Sequence, residues 1–292
     1  MSMKDKNCGY DSVVENVTLD EERALYGIKN TLVKNVRFDG PADGESAIKE
    51  CDNITVEKCF CNLRYPFWHV RGLRMIDTEM TVNCRASVWY TSNLTIENCK
   101  LHGPKVIREC NFVKVSGCDI NAIECGWWSN HVTFEDCNIY SEYFLLNATD
   151  VTMKNVVFNG KYPLQYVVGG TLENCTISTK DALWHAKNVV IRNCVIQSEY
   201  LAWYSEGLTF IDCTIKGGQP FCYCKKLTLI NCKTEGCTLS FEKSEVNATI
   251  TNEIDSIKNP YEGTIEVKGV GQIVRDDPKS TGKIIVNGIL RL

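Results

Sequence analysis

The residues of this chain best suited to chemistry are aromatic and charged, and they recur in one context. Aligned segments read Tyr65-Pro-Phe-Trp-His69, Ser87-Val-Trp-Tyr90, Ile107-Arg-Glu109, Gly126-Trp-Trp128, Leu145-Leu-Asn147, Leu164-Gln-Tyr166, Leu183-Trp-His185, Ala202-Trp-Tyr204 and Phe221-Cys-Tyr223; together they hold all 6 tryptophans. One column runs Trp68, Trp89, Arg108, Trp127, Leu146, Gln165, Trp184, Trp203, Cys222, and its neighbour His69, Tyr90, Glu109, Trp128, Asn147, Tyr166, His185, Tyr204, Tyr223. Adjacent residues of a strand face opposite sides, so one column is expected outward. The second, with Glu109, Asn147 and both histidines, is the more polar choice.

An exposed column of this kind offers a sugar-binding platform with polar handles: Trp68, His69, Tyr90, Trp128, Tyr166, Tyr204 and Tyr223 are its candidate binding residues. Beside it runs a charged column, Arg64, Arg85, Glu142, Lys161, Lys180 and Glu199, with Lys105, Glu124 and Asp181 one step on. Arg85, Arg108 or Lys180 could neutralise a sugar carboxylate, while Glu109, Asp181 or His185 could move a proton, as acid–base chemistry on glycans requires. The plainer reading is an aromatic core with polar tips beside surface ion pairs worth about 0–1 kcal/mol each.

Other motifs carry less. Cys59-x-Cys61 and Cys222-x-Cys224 lack the further Cys or His ligands of a zinc site, and the four histidines are scattered. Neither a Gly-rich phosphate loop nor a Gly-x-Ser-x-Gly elbow is present. No metal and no cofactor is expected. The Asn-x-Thr sequons at Asn16, Asn53, Asn93, Asn147, Asn174 and Asn247 follow from the grammar of a repeat.

That repeat is what must position the columns. Asn98-Cys99, Gly117-Cys118, Asp136-Cys137, Asn155-Val156, Asn174-Cys175, Asn193-Cys194, Asp212-Cys213 and Asn231-Cys232 recur every 19 residues, with Asn16-Val17, Asn35-Val36 and Lys58-Cys59 before them. Ahead of each anchor, apolar residues alternate with period two (Leu94 and Ile96, Val132 and Phe134, Val189 and Ile191), the mark of a strand with one buried face. A second short strand follows the anchor, and a third carries the aromatics. Three strands per unit, stacked at about 4.8 Å, make a parallel β-helix. The expectation is one all-β domain over 1–292: a right-handed parallel β-helix of about 12 coils of about 19 residues, with repeats over 12–244 and a C-terminal cap of strands over 245–292. At the bend after the first strand, Asn, Asp and Gly tolerate left-handed backbone best. The Cys beside them reads as a small hydrophobe at an inward corner. The ladder Cys59, Cys99, Cys118, Cys137, Cys175, Cys194, Cys213 and Cys232 is therefore expected to be reduced and inert, with Cys8, Cys61 and other off-column thiols reacting first.

Composition narrows the function classes. The 292 residues carry a net charge of −4 and 23% charged residues without a basic block, which argues against nucleic acid. No apolar run reaches membrane-spanning length. The N-terminus lacks the apolar stretch of a secretory signal, so a bacterial-type cytoplasm and reduced thiols are expected for the 17 cysteines.

The blocks Gly44-Glu-Ser-Ala-Ile-Lys-Glu50, Tyr65-Pro-Phe-Trp-His69, Cys84-Arg-Ala-Ser-Val-Trp-Tyr90, Gly160-Lys-Tyr-Pro-Leu-Gln-Tyr166, Thr179-Lys-Asp-Ala-Leu-Trp-His185, Ser198-Glu-Tyr-Leu-Ala-Trp-Tyr-Ser205 and Gln219-Pro-Phe-Cys-Tyr-Cys224 resemble the bacterial domain of unknown function 3737 family. Its members are sometimes named hydrolase or isomerase without an established activity. The resemblance implies a right-handed β-helix similar to pectin-processing enzymes. The paired Asp sites, the Gly-His-Gly and Arg-Ile-Lys motifs and the calcium-binding aspartates of those enzymes are missing here. Two functions stand side by side. One is binding or processing of an oligosaccharide or sugar derivative on the aromatic face, by hydrolase, lyase or isomerase chemistry. The other is a non-enzymatic scaffold that uses the same face for a partner protein or a homo-oligomer.

Overall fold

The computed structural model describes residues 9–291, so Cys8 lies outside the described residues. The fold is an all-β parallel solenoid of about 14 turns, with no helix among the described residues. Twelve coils were expected from the period. The count is higher because Glu245–Ile250, Glu262–Val267 and Lys283–Val286 stack in parallel on the first-strand sheet although their spacing leaves 19. Beyond them Ile289–Arg291 folds back antiparallel on Lys283–Val286, and Glu253–Lys258 pairs with Gly269–Val274 in a small second sheet. No helix among the described residues is long and apolar enough to cross a membrane.

Two compact units divide the chain, residues 1–122 and 123–292. In the N-terminal unit the first strands include Lys29–Lys34, Asp52–Glu57, Arg71–Ile76 and Ser92–Glu97, with Val33, Val56, Met75 and Ile96 stacked inward. In the C-terminal unit Asn130–Glu135, Thr149–Lys154, Val168–Glu173 and Lys187–Arg192 do the same, burying Phe134, Met153, Leu172 and Ile191. These are the alternating residues of the repeat; the pleat sends them to one side.

In the coils that keep the anchor of the repeat, the corner after the first strand is left-handed. Asn16, Asn35, Lys58, Asp77, Asn98 and Gly117 in one unit, and Asp136, Asn155, Asn174, Asn193, Asp212 and Asn231 in the other, have φ between +49° and +62°. Their side chains bond from coil to coil, Asn155 Nδ2 donating to Asp136 Oδ1 at 2.8 Å and Asn35 Nδ2 to Asn16 Oδ1 at 3.2 Å. At Gly160 the coils approach so closely that a Cβ would lie 1.8 Å from Ser141 O, a position closed to any other residue.

The thiols do more than fill the corner. The amide of Cys99 donates to Cys118 Sγ at 3.3 Å, that of Cys175 to Cys194 Sγ at 3.3 Å, and that of Val36 to Cys59 Sγ at 3.4 Å. Where Thr78 replaces the Cys, its Oγ1 accepts from the Cys59 amide at 3.3 Å. A corner amide turned inward needs an acceptor, and Cys or Thr supplies one in little space.

For Cys61 and the other described off-column thiols, the expectation that they react first is corrected; Cys8 lies outside the described residues. All 16 described cysteines are buried. Cys61 is 0% exposed, and burial holds its thiol well above the usual range. Cys51, Cys110 and Cys224 line a second inward corner, and burial pushes Cys110 up to about 12 and Cys224 up to about 11. Thiol titration of the native protein should therefore find these 16 silent and unfolding should release them. Rapid labelling of any of them in the native state would contradict this packing.

Candidate functional site

The aromatic segments differ in backbone between the units. In the N-terminal unit they are short strands, Phe67–Trp68, Val88–Trp89 and Lys105–Arg108. In the C-terminal unit Gly126-Trp127 still close the strand Asp119–Trp127, but from residue 145 onward the third strand expected there is absent. Residues 162–166, 181–185, 200–204 and 219–223 are turns in which alternate residues are left-handed: Asp181, Leu183 and His185 have φ of +54°, +60° and +56°. This changes which side chains reach solvent. Leu164, Leu183, Ala202 and Phe221 point inward at 0–1% exposure, and the two residues after each lie at the surface or near it, except Cys222, which is buried. The two columns are thus not opposed, as a regular strand would make them. The second is the more exposed, with Tyr90 at 39%, Trp128 at 41%, and Tyr166 and Tyr204 at 46%.

In the N-terminal unit the rings of Trp68 and Trp89 stack 5.3 Å apart, and His69 stacks on Tyr90 at 4.8 Å. The guanidinium of Arg108 lies 4.8 Å from the centre of the Trp89 ring, and Lys49 Nζ 5.9 Å from that of Trp68. Both are cation–π contacts. Glu109 Oε1 is 3.6 Å from Arg108 Nε, so this pair is already mutually engaged. Arg85 also belongs to this unit, at an exposed position near Arg64.

The longer ladder is in the C-terminal unit. Tyr166, His185, Tyr204 and Tyr223 stack with centroids 4.8, 5.2 and 4.8 Å apart and planes within 10°. Trp184 and Trp203 stack beside them at 5.5 Å. Their indole N–H groups donate to Tyr200 O and Gln219 O, each at 2.7 Å, and Gln165 Nε2 does the same to Asp181 O at 3.2 Å. These bonds tie the inner column to the next coil. Ring faces in the ladder are largely covered by neighbouring rings, so the edges, with phenol and imidazole groups, meet solvent.

Alongside runs the column of Asp181, in which the sequence reading singled out only the charged members and missed Tyr143, Tyr162 and Tyr200. Its signal was available, since these residues share the 19-residue spacing. Tyr143 stacks on Tyr162 at 5.1 Å, and Tyr200 meets Trp203 edge-on at 5.1 Å. Asp181 is 8% exposed, and burial raises its carboxyl pKa; Lys180, with Nζ 3.9 Å away, opposes the shift, and Glu199 adds to it. The Lys180 ammonium is held above its usual value by Tyr162 and then by Asp181. Lys161 pairs with Glu142 at 3.8 Å. Of the candidate catalytic residues, Lys180, Asp181 and His185 fall on this unit, and Arg85, Arg108 and Glu109 on the other. What the face of the C-terminal unit offers chemically is a row of hydrogen-bonding ring edges, the Asp181 carboxyl with its pKa raised by burial, and the Lys180 ammonium beside it.

Among solved structures the fold is similar to PfbA, a surface adhesin of Streptococcus pneumoniae, at 9% identity and TM-score 0.35, covering 97% of this chain and 90% of that one. It is also similar to the A-module of the mannuronan C-5 epimerase AlgE6 of Azotobacter vinelandii, at 12% identity and TM-score 0.31, covering 95% and 79%. A catalytic domain of a GH87 alpha-1,3-glucanase matches at 10% identity and TM-score 0.28, covering 83% and 63%. Likeness at this level carries no argument about activity. Comparison with curated proteins finds no match. The model of the family described as protein of unknown function, DUF3737, matches residues 12–286, and the chain belongs to that family.

Proposed function

We propose that this protein is a carbohydrate-binding solenoid whose ligand lies along Tyr166, His185, Tyr204 and Tyr223. One observation carries the reading. These four rings occupy left-handed positions, φ +56° to +61°, where a bulky L-residue costs about 1–2 kcal/mol. The corner after the first strand in the same coils meets the same demand with Asn or Asp. Strained backbone held by large polar aromatics on an exposed face points to a function for the rings. Their edges repeat once per coil and offer hydroxyl and imidazole groups to the hydroxyls of a sugar chain. On the same face Asp181 and Lys180 are the groups through which a bound sugar would be processed, the first by protonation and the second by neutralising a carboxylate.

A glycan array of neutral and acidic oligosaccharides tests the proposal. Binding to a defined glycan class is expected; silence across all classes would sink it. A second reading has its own support. Because the rings cover one another's faces, the ladder is flat, and exposed Tyr and Trp anchor protein interfaces as readily. A silent array combined with concentration-dependent light scattering that Tyr166→Ala or Tyr204→Ala abolishes would favour that reading.

A further inference from the structure

The N-terminal unit contains a groove of about 510 Å³ bordered by Asp43, Asn62, Arg64, Val82, Asn83 and Arg85. That volume falls in the range of roughly 300–1,000 Å³ common for small-ligand clefts. Its wall is a tied polar network. Arg37 Nη2 donates to Asp39 Oδ2 at 2.8 Å, and Asn62 Nδ2 to Asp39 Oδ1 at 2.8 Å. Asn62 Oδ1 in turn accepts from Asn83 Nδ2 at 3.0 Å and from Thr81 Oγ1. Arg64 Nη2 is engaged by Asp43 at 3.0 Å and Glu45 at 2.9 Å. Each carboxylate of this wall therefore already has a partner.

Arg85 is the exception. The register of Phe67 with Val88 sets it one coil beyond Arg64, and the pairing of Ala86 with Lys105 sets Pro104 beyond it. The salt-bridge ladder that serves Arg64 thus breaks: Arg85 has an arginine on one side and a proline on the other. Among the described residues no acidic side chain forms an ion pair with it. Arg64 is already neutralised by Asp43 and Glu45, so Arg85 is the cation of this groove that an anion would meet. Val82, 69% exposed, and Leu63 and Pro104 supply apolar surface in the same groove.

We propose that this groove binds the oxyanion of a small acidic ligand, a sugar carboxylate or sugar phosphate. The Arg85 guanidinium would grip the anion in its planar fork, and the ligand's carbon skeleton would rest on Val82 and Pro104. The residues of the groove belong to the N-terminal unit, and those of the aromatic ladder to the C-terminal one. Calorimetric titration of the full chain with glucuronate, glucose 6-phosphate and glucose tests it. One or both charged sugars should bind and glucose should not, with the stronger of the two identifying carboxylate or phosphate. Arg85→Gln should weaken binding at least tenfold with an unchanged melting temperature, and Arg85→Lys should fall between it and wild type. Equal binding of glucose, no binding of either charged sugar, or an Arg85→Gln variant that binds like wild type would each overturn the proposal. Variants of Tyr166 and Tyr204 should leave this binding intact, so the groove and the ladder fail or succeed separately.

Discussion

Replacing Tyr166, His185 and Tyr204 together by asparagine should abolish glycan binding and leave the solenoid folded. Asparagine accepts left-handed backbone more readily than tyrosine or histidine, and the chain already uses it at Asn147 in the same column, with φ +55°. Three stacked ring pairs are lost, each worth about 0.5–1.5 kcal/mol. Backbone relief offsets part of this, so the net change should stay within about 2 kcal/mol, or a few degrees in melting temperature. The corresponding triple alanine variant gains no such relief and should melt below the asparagine variant. Melting curves and the glycan array together decide the matter. An asparagine variant that still binds the same glycans would remove the ladder from the site. One that cannot fold would make the rings architecture.

Phe221→Ala should be the most destabilising single change of those considered, at about 3–5 kcal/mol. Phe221 is 0% exposed, meets Phe210 edge-on at 5.0 Å and stacks on Phe241 at 5.6 Å. Alanine leaves a ring-sized cavity in a layer that the neighbouring coils cannot collapse into without breaking their own register. Tyr223→Ala, two residues away with nearly the same φ (+61° against +65°), should cost only about 1 kcal/mol, since a partly exposed ring gives up mainly its stacking. Denaturant unfolding of the two variants checks the contrast. Each coil contacts only its neighbours, so the first transition is the one to compare. Equal losses would mean that the inward and outward positions of these turns have been interchanged.

The fold was legible because the repeat writes one rule many times. Period-two alternation in segments such as Lys187–Arg192 implies a one-sided strand, and the recurrence every 19 residues implies that such strands stack in parallel. The Asn and Asp anchors name their corner directly, since few other residues tolerate its backbone. Composition and spacing also found the aromatic and charged columns.

What the sequence alone could not decide was direction. The strand rule sends neighbours such as Trp184 and His185 to opposite faces. Alternating left-handed residues instead turn Leu183 into the core and leave Trp184 and His185 together on the outer side. Nothing in local propensity announces this, because Leu, Tyr and His disfavour that backbone. Packing imposes it: Leu183 must fill the interior between Leu164 and Ala202, and the coil must close in 19 residues to keep the sheets paired. The partners of the charges were equally hidden. Arg64 and Arg85 look alike in sequence, and only the stacking of coils gives the first two carboxylates and the second none. Sequence periodicity fixes which residues share a column; the closure of each coil, a tertiary constraint, fixes where that column points and what it meets.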